Sequence, residues 1–449
     1  MERRRISVLR SIVVFVLMAA AVIQTGMLWL NGNQSHNIFY YVSGIFKNAA
    51  DSSGSPVTVS PGKVAVGNAG STFAIIYGGD NDAAKYSESI ISELAKKEAK
   101  SVDFDWTKVL KYRCAVLAFD FPVPTGEYMP GFFSENENEM PELKSFKNIV
   151  VVPSGESQDA EVYFVSPQGS KAVLLKGQSQ YADKLVSEVE KVSENAPDSI
   201  KYISTAQSGL NIFSSNIFVA QWTQNQLQYG TVTKTPAFSC QNENDFRTET
   251  GQYFKNYPAV RVSVDSNNTY TGSDNTTVLK YYSDGVLEYF NYDDSSNSKA
   301  AQTLSSAYSA CDSFLKSDSS IKTGYYLSDV NITGDGLTFL FDYYINNLPV
   351  ILSEGLSVRT DMTHAMEVVV KDNTVKKFKR YAYNYSVGTD NSYADRDFLS
   401  AMNDAMAGGI SANLINDIVF GYSDENSEYA KCIWLVKTDD SVYRAKTAE

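Results

Sequence analysis

Hydrophobic positions are arranged along this chain in three ways, and each predicts a different element. From Ser11 to Leu30 the sequence SIVVFVLMAAAVIQTGMLWL contains no charge, and a helix needs about 20 apolar residues to cross a bilayer core. This run predicts a transmembrane helix over 11–30. Beyond it, short alternating or continuous apolar runs bounded by turn residues predict strands: VAVGNAGSTFAIIYG from Val64, RCAVLAFDFPV (113–123), KNIVVVPS (147–154), AEVYFVSP (160–167) and KAVLLKG (171–177). Helical spacing appears after Gly79, where Asp82 stands near a start and Tyr86, Ile90, Leu94 and Ala95 share a face, and again over 179–195, 299–315 and 395–407.

Hairpins punctuate the second half. VLKYYSDGVLEYFNYD (278–293) turns at Ser283-Asp284-Gly285, and MEVVVKDNTVKKFKRYAYNY (366–385) turns at Lys371-Asp372-Asn373. Large apolar residues alternate from Leu337 to Ile345, and Asn346-Asn347, which tolerate left-handed backbone, turn the chain into Leu348-Pro349-Val350. DIVFGYS and AKCIWLVK close the chain as strands. The middle and last sections share an order of hairpin, aromatic strand, polar loop and amphipathic helix, which suggests an internal duplication. The fold class expected is α+β: one N-terminal transmembrane helix, then an extracytoplasmic multi-domain region of antiparallel sheets with packed helices. Its parts read as a cytoplasmic tail (1–10), a signal-anchor helix (11–30), a linker (31–63) rich in Gly, Ser, Pro and Asp from residue 47, and α+β domains over 64–200, 201–320 and 321–449.

Charge orients the anchor. Arg3, Arg4, Arg5 and Arg10 precede the span and Trp29 lies near its far end, so the N-terminus belongs in the cytoplasm and the bulk outside the cell membrane. A cleaved signal peptide is the competing reading, with Ala19 to Ala21 as an A-x-A site, but the apolar run continues to Leu30, longer than the about 7 to 15 residues of a signal core. The whole chain carries a net charge of −13, and the four arginines leave the body more acidic still. An acidic body without a basic stripe repels phosphate backbones, which disfavours nucleic acid as a partner. With 43% hydrophobic and 20% charged residues, the body has the composition of a folded protein.

Little of the usual catalytic chemistry is present. Two histidines, His36 and His364, offer almost nothing to a Ser-His-Asp or His-metal arrangement. Ser154 in PSGES lacks the glycine of a nucleophile elbow, and no phosphate-binding glycine motif occurs. Asp329, Asn331, Thr333 and Asp335 before Gly336 faintly resemble a calcium loop without its terminal glutamate, so a plain turn is the better reading. Cys114, Cys240, Cys311 and Cys432 are too widely spaced for CxxC sites. They permit two disulfides outside the membrane, yet buried small hydrophobes are favoured, since Cys311 shares a helical face with Leu304, Tyr308 and Leu315. The 29 tyrosines suit half-buried strands better than a carbohydrate platform. No catalytic residue, metal or cofactor is expected.

The candidate site lies in the span itself. Ala20, Ala21, Gln24, Thr25 and Gly26 cluster in its outer half, with Ala21 and Thr25 four apart on one face. Small residues let helices approach closely in lipid, and a glutamine there gains from an interhelical hydrogen bond. The alternative is a passive anchor.

Three segments carry a family resemblance. AVLAFDFPVPTGEYMPGFF (115–133), PAVRVSVDSNNTYTGSDNTTVLKYYSDGVLEYFNYD (258–293) and FDYYINNLPVI (341–351) look like segments of the YycH/YycI family of two-component system regulators, with the closer likeness to its YycH branch. Asn347 stands where that family usually has glycine. The resemblance implies a membrane-anchored, non-catalytic accessory regulator of a cell-wall-linked sensor histidine kinase. Its partners would be that kinase, met through the transmembrane helix and the extracytoplasmic region, and a related YycI-type regulator. The alternative function is an anchored binding protein for cell-wall glycan or peptide.

Overall fold

The computed structural model describes residues 59–445 except 96, 129–142, 156, 195–199, 211, 214, 222–227, 294–301, 334–335, 394–396, 426–428 and 439–441. The transmembrane reading of 11–30 therefore lies outside the described residues. Two antiparallel sheets with packed helices form the rest, as the α+β reading expects.

The first lobe contains β1 (Lys63–Asn68), β2 (Thr72–Tyr77), α1 (Asp82–Leu94), β3 (Ala99–Asp103), α2 (Trp106–Val109), β4 (Arg113–Pro124), α3 (Thr125–Tyr128), β5 (Ser145–Pro153), β6 (Asp159–Val165), β7 (Lys171–Gln178), α4 (Ala182–Glu194), β8 (Tyr202–Ser204) and β9 (Phe218–Ala220). Its strands lie in the order β3-β7-β6-β5-β4-β1-β2-β8-β9. Helix α1 starts where the Asn81 side chain accepts from Ala84 N at 2.9 Å, and it turns Ile90, Ile91 and Leu94 inward beside α4. An unbroken apolar run in β4, Cys114 to Phe119, is buried on both faces because helices cover one side of the sheet and other parts of the core the other.

The second lobe contains β10 (Gln228–Pro236), α5 (Glu243–Glu249), β11 (Arg261–Val264), β12 (Tyr270–Ser273), β13 (Thr277–Tyr281), β14 (Val286–Asn291), α6 (Leu304–Ser317), β15 (Gly324–Thr333), β16 (Gly336–Ile345), β17 (Leu348–Leu352), α7 (Glu354–Thr360), β18 (Met366–Lys371), β19 (Thr374–Tyr381), β20 (Tyr383–Tyr393), α8 (Phe398–Ala407), β21 (Ile415–Asp424), β22 (Tyr429–Thr438) and β23 (Val442–Arg444). One sheet runs β11-β12-β13-β14-β19-β18-β16-β17-β21-β22-β10-β20, with β15 also on β16 and β23 on β22. Only β17 and β21 among these pairs are parallel, and the chain between them is long enough for the crossover that parallel pairing needs. The predicted turns are left-handed: Asn346 and Asn347 have φ of 51° and 54°, Asp372 and Asn373 51° and 55°, which matches the twist of tight hairpins.

Several boundaries differ from expectation. Residues 201–320 and 321–449 do not separate, because β10 pairs with β20 and β22, and β14 pairs with β19. Such long-range pairing leaves no periodic trace in sequence. Val59, Pro61 and Gly62, read as the end of a linker, are buried. Composition suggested a loop there, but the segment lies against the second lobe. The two runs β11-β12-β13-β14 and β15-β16-β18-β19 are both antiparallel meanders that meet at β14 and β19, but the second has β17 and α7 inserted between β16 and β18. Their helices diverge, since α6 packs on β16, β18 and β19 whereas α8 packs on β22.

Candidate functional site at the lobe junction

Ala20, Ala21, Gln24, Thr25 and Gly26 lie outside the described residues. Among the described residues no helix is long and apolar enough to cross a membrane. What the structure brings together instead is a set of charged side chains where the two lobes meet.

The approach is close. A Cβ on Gly62 would stand 2.9 Å from the Leu327 carbonyl oxygen at the head of β15, so the backbone crossing requires glycine. Nearby, the Tyr77 ring lies 5.0 Å from that of Tyr326 and 6.4 Å from that of Tyr344. Lys63 of β1 pairs with Asp417 of β21, both side chains 11% exposed. Lys437 Nζ of β22 reaches to 3.5 Å from Asp120 Oδ2 of β4. Glu127 of α3 accepts from Leu304 N, the first residue of α6, at 3.1 Å, which satisfies a helix N-terminal donor across the junction. Burial pushes the Glu127 carboxyl up.

A second carboxylate lies within electrostatic reach of Lys437. Asp342 Oδ2 of β16 accepts from Ser328 Oγ at 2.7 Å and lies 2.9 Å from His364 Nδ1, while its Oδ1 accepts from Ala365 N at 3.2 Å. Asp342 is 2% exposed and the His364 side chain 25%. Burial acts against both charged forms, but the His364 and Lys437 charges outweigh it and hold Asp342 below the usual carboxylate range. Burial likewise opposes the imidazolium of His364, and Asp342 overcomes it, raising that pKa. Asp120 is lowered in the same way, its burial offset by Lys437, Lys63 and Lys147.

Ser328, Asp342 and His364 do not make a nucleophile relay. The serine hydroxyl donates to the carboxylate rather than to the imidazole, so the serine-to-histidine hydrogen bond on which such a relay depends is not made. Among the described residues no group of three or more His, Cys, Asp or Glu side chains is placed to hold a metal ion. Asp329, Asn331 and Thr333 lie within β15 rather than in the turn expected, Gly336 opens β16, and Asp335 lies outside the described residues. Cys114, Cys311 and Cys432 are buried free thiols, and burial pushes Cys114 up to about 12, away from reactivity.

Two further polar networks stand deeper in the second lobe. Arg380, fully buried, donates to Tyr343 OH at 2.7 Å, Ser320 Oγ at 2.6 Å and Asp318 Oδ2 at 3.3 Å. Lys234 of β10 donates to Asp424 Oδ1 at 2.7 Å and Tyr381 OH at 2.9 Å, with the Tyr383 ring centre 4.7 Å away. At the outer end of the β11–β14 meander, two adjacent turns enclose an open depression of about 340 Å³, lined by Asp265, Thr269, Thr271, Lys280, Tyr282 and Asp284, among others.

Sequence reading gave His364 no partner. The available signal was Asp342, a lone charge between Phe341 and Tyr343 in an otherwise apolar alternation. A charge in that setting needs a buried counter-charge, although its identity, 22 residues away, is not readable from spacing.

Compared with known proteins, the chain has the fold of YycH from Bacillus subtilis. The crystal structure of that protein aligns with a TM-score of 0.53 at 16% identity, covering 89% of this chain and 98% of that one. No family model matches the sequence, and no curated protein matches it by sequence.

Proposed function

We propose that this chain is an accessory regulator of a membrane sensor histidine kinase, working by contact and not by catalysis. The observation that carries the reading is the shared fold with YycH over 89% of this chain and 98% of the other, joined to the three sequence segments that resemble the YycH/YycI family. On this reading residues 11–30 hold the chain in the cell membrane, with the N-terminus inside and the two-sheet region outside. Ala20, Ala21, Gln24, Thr25 and Gly26 pack against the kinase's own spans, and the outer lobes meet the kinase or a YycI-type regulator. Small biases suffice: a coupling of about 1 to 3 kcal/mol changes an equilibrium roughly 5- to 150-fold. The test is co-purification from detergent-solubilised membranes of the intact chain and of a version with 11–30 replaced by unrelated leucine-rich sequence. Recovery of a sensor kinase with the native segment alone supports the reading, and recovery with neither sinks it. Within that segment, Gln24→Leu and Ala21→Leu are expected to weaken association.

A second reading, binding of wall glycan, draws on the depression beside Tyr282, whose hydroxyl, amide and carboxylate lining suits a neutral sugar. Soluble wall fragments titrated against the full chain and Tyr282→Ala decide it.

A further inference from the structure

We propose that His364 is a proton-operated latch on the lobe junction: its imidazolium holds Asp342, which leaves Lys437 to bridge to Asp120 of the first lobe, and deprotonation draws Lys437 to Asp342 and loosens the junction. This stands apart from the kinase reading and holds or fails without it.

The argument is one of charge balance in a buried place. Asp120, Asp342 and Asp417 are carboxylates facing the junction; Lys63 and Lys437 are the ammonium groups paired with Asp417 and Asp120. Three negative charges meet two positive ones, and His364, 2.9 Å from Asp342, supplies the third when protonated. Without it, one buried carboxylate lacks a cation, a costly state. Lys437 is the cation for which these carboxylates compete: its ammonium lies 3.5 Å from Asp120, and Asp417 and Asp342 also act on it. The surrounding groups do not supply the missing charge. Asp329 of β15 and Lys147 of β5 add one of each sign. Glu367 of β18 faces Lys379 of β19 and Asp361 at the end of α7, and Lys379 is engaged by Glu288 and the Asp361 carbonyl. Tyr326 adds a neutral phenol. A quarter of the His364 side chain is exposed, so it exchanges its proton with solvent. Histidine is also the side chain that ordinarily changes charge between about pH 5 and 8.

Two readouts on the full chain in detergent micelles test this. The chain has two histidines, His36 and His364, so histidine-selective 13C labelling gives one NMR titration for each, the His364 signal being the one lost in His364→Gln. Nitroxides on Ser101→Cys in the first lobe and Asn275→Cys in the second, with Cys240→Ser, report the distance between lobes. The expected result is a narrow distance distribution at about pH 5.5 that broadens by about pH 8.5, with a midpoint matching the His364 titration. His364→Gln and Lys437→Met are expected to show the broad distribution at both values. A distribution that stays unchanged while His364 titrates overturns the latch, and so does a His364 that does not titrate in this range. Both outcomes are read from the unsubstituted histidine, so they stand even where His364→Gln does not fold.

Discussion

The heart of the first lobe and the heart of the second are built from opposite materials. In the first, Phe119, Tyr128, Phe146 and Phe164 meet edge to face, with ring centres 5.2 Å apart for Tyr128 and Phe146 and 5.3 Å for Phe146 and Phe164, and all four are almost fully buried. In the second, the largest fully buried side chain is Arg380, on a strand whose Phe378 meets Phe314 of α6 with ring centres 5.2 Å apart. An aromatic cluster stabilises through burial and ring geometry, neither of which depends on pH. A buried ion network contributes little net stability but makes the removal of one partner severe, because the other charge is left behind. One lobe is thus stable in a way that tolerates graded change, whereas the other depends on a set of groups that must be complete.

The sharpest way to break this contrast is at Arg380. Arg380→Met leaves Asp318 without its buried cation and Tyr343 without its donor, and the expected loss is about 3 to 5 kcal/mol of unfolding free energy. Pairing it with Asp318→Leu is expected to recover part of that loss in denaturant titrations. If the single change costs under about 1 kcal/mol, the network is not what holds α6 to β19. In the first lobe, Phe164→Leu removes ring atoms without exposing a charge, and a smaller loss of about 1 to 2 kcal/mol is expected. That loss should be equal at acid and neutral pH. Smaller again is Glu127→Gln, which keeps an acceptor near Leu304 N but removes the carboxylate from the start of α6. A change of under about 0.5 kcal/mol, read as a shift in thermal midpoint, is expected, because the burial that raises the Glu127 pKa offsets what its charge gains at the helix start.

The contrast also explains which parts of the molecule were legible in sequence. Leu304, Tyr308, Cys311 and Leu315 lie on one helical face by spacing, and all four are buried. The Asn346-Asn347 and Asp372-Asn373 turns follow from the conformations those side chains tolerate. These are local facts, set within about ten residues of chain. Lys63 and Asp417 are 354 residues apart, and no periodic pattern connects them. The same holds for β10 on β20 and for His364 on Asp342. Apolar cores announce themselves through repetition, whereas a buried charge announces only that a partner exists. The junction, the part richest in such charges, was therefore the part least visible in the sequence, and its linker-like composition at 59–62 pointed away from burial.

The smallest effect expected is one of shape rather than size, and it separates the two materials most cleanly. Asp342 and Asp120 have lowered pKa values, so their contribution to stability is present above the unfolded carboxylate range, near 3.9, and is lost as pH falls through the lower folded values. His364 has a raised pKa, so its contribution is complete below the unfolded value near 6.5 and is lost as pH rises through the folded value. Unfolding free energy against pH should therefore show a plateau, with an acid limb from the carboxylates and a shallow descent on the alkaline side from His364. Asp342→Asn is expected to remove the alkaline descent and reduce the acid limb, because it takes away the charge to which both are tied. Phe164→Leu should lower the whole curve without bending it. A profile in which Asp342→Asn keeps the alkaline descent would place that titration elsewhere in the chain, and one in which Phe164→Leu changes the curvature would show that the first lobe's aromatic core is coupled to the junction charges after all.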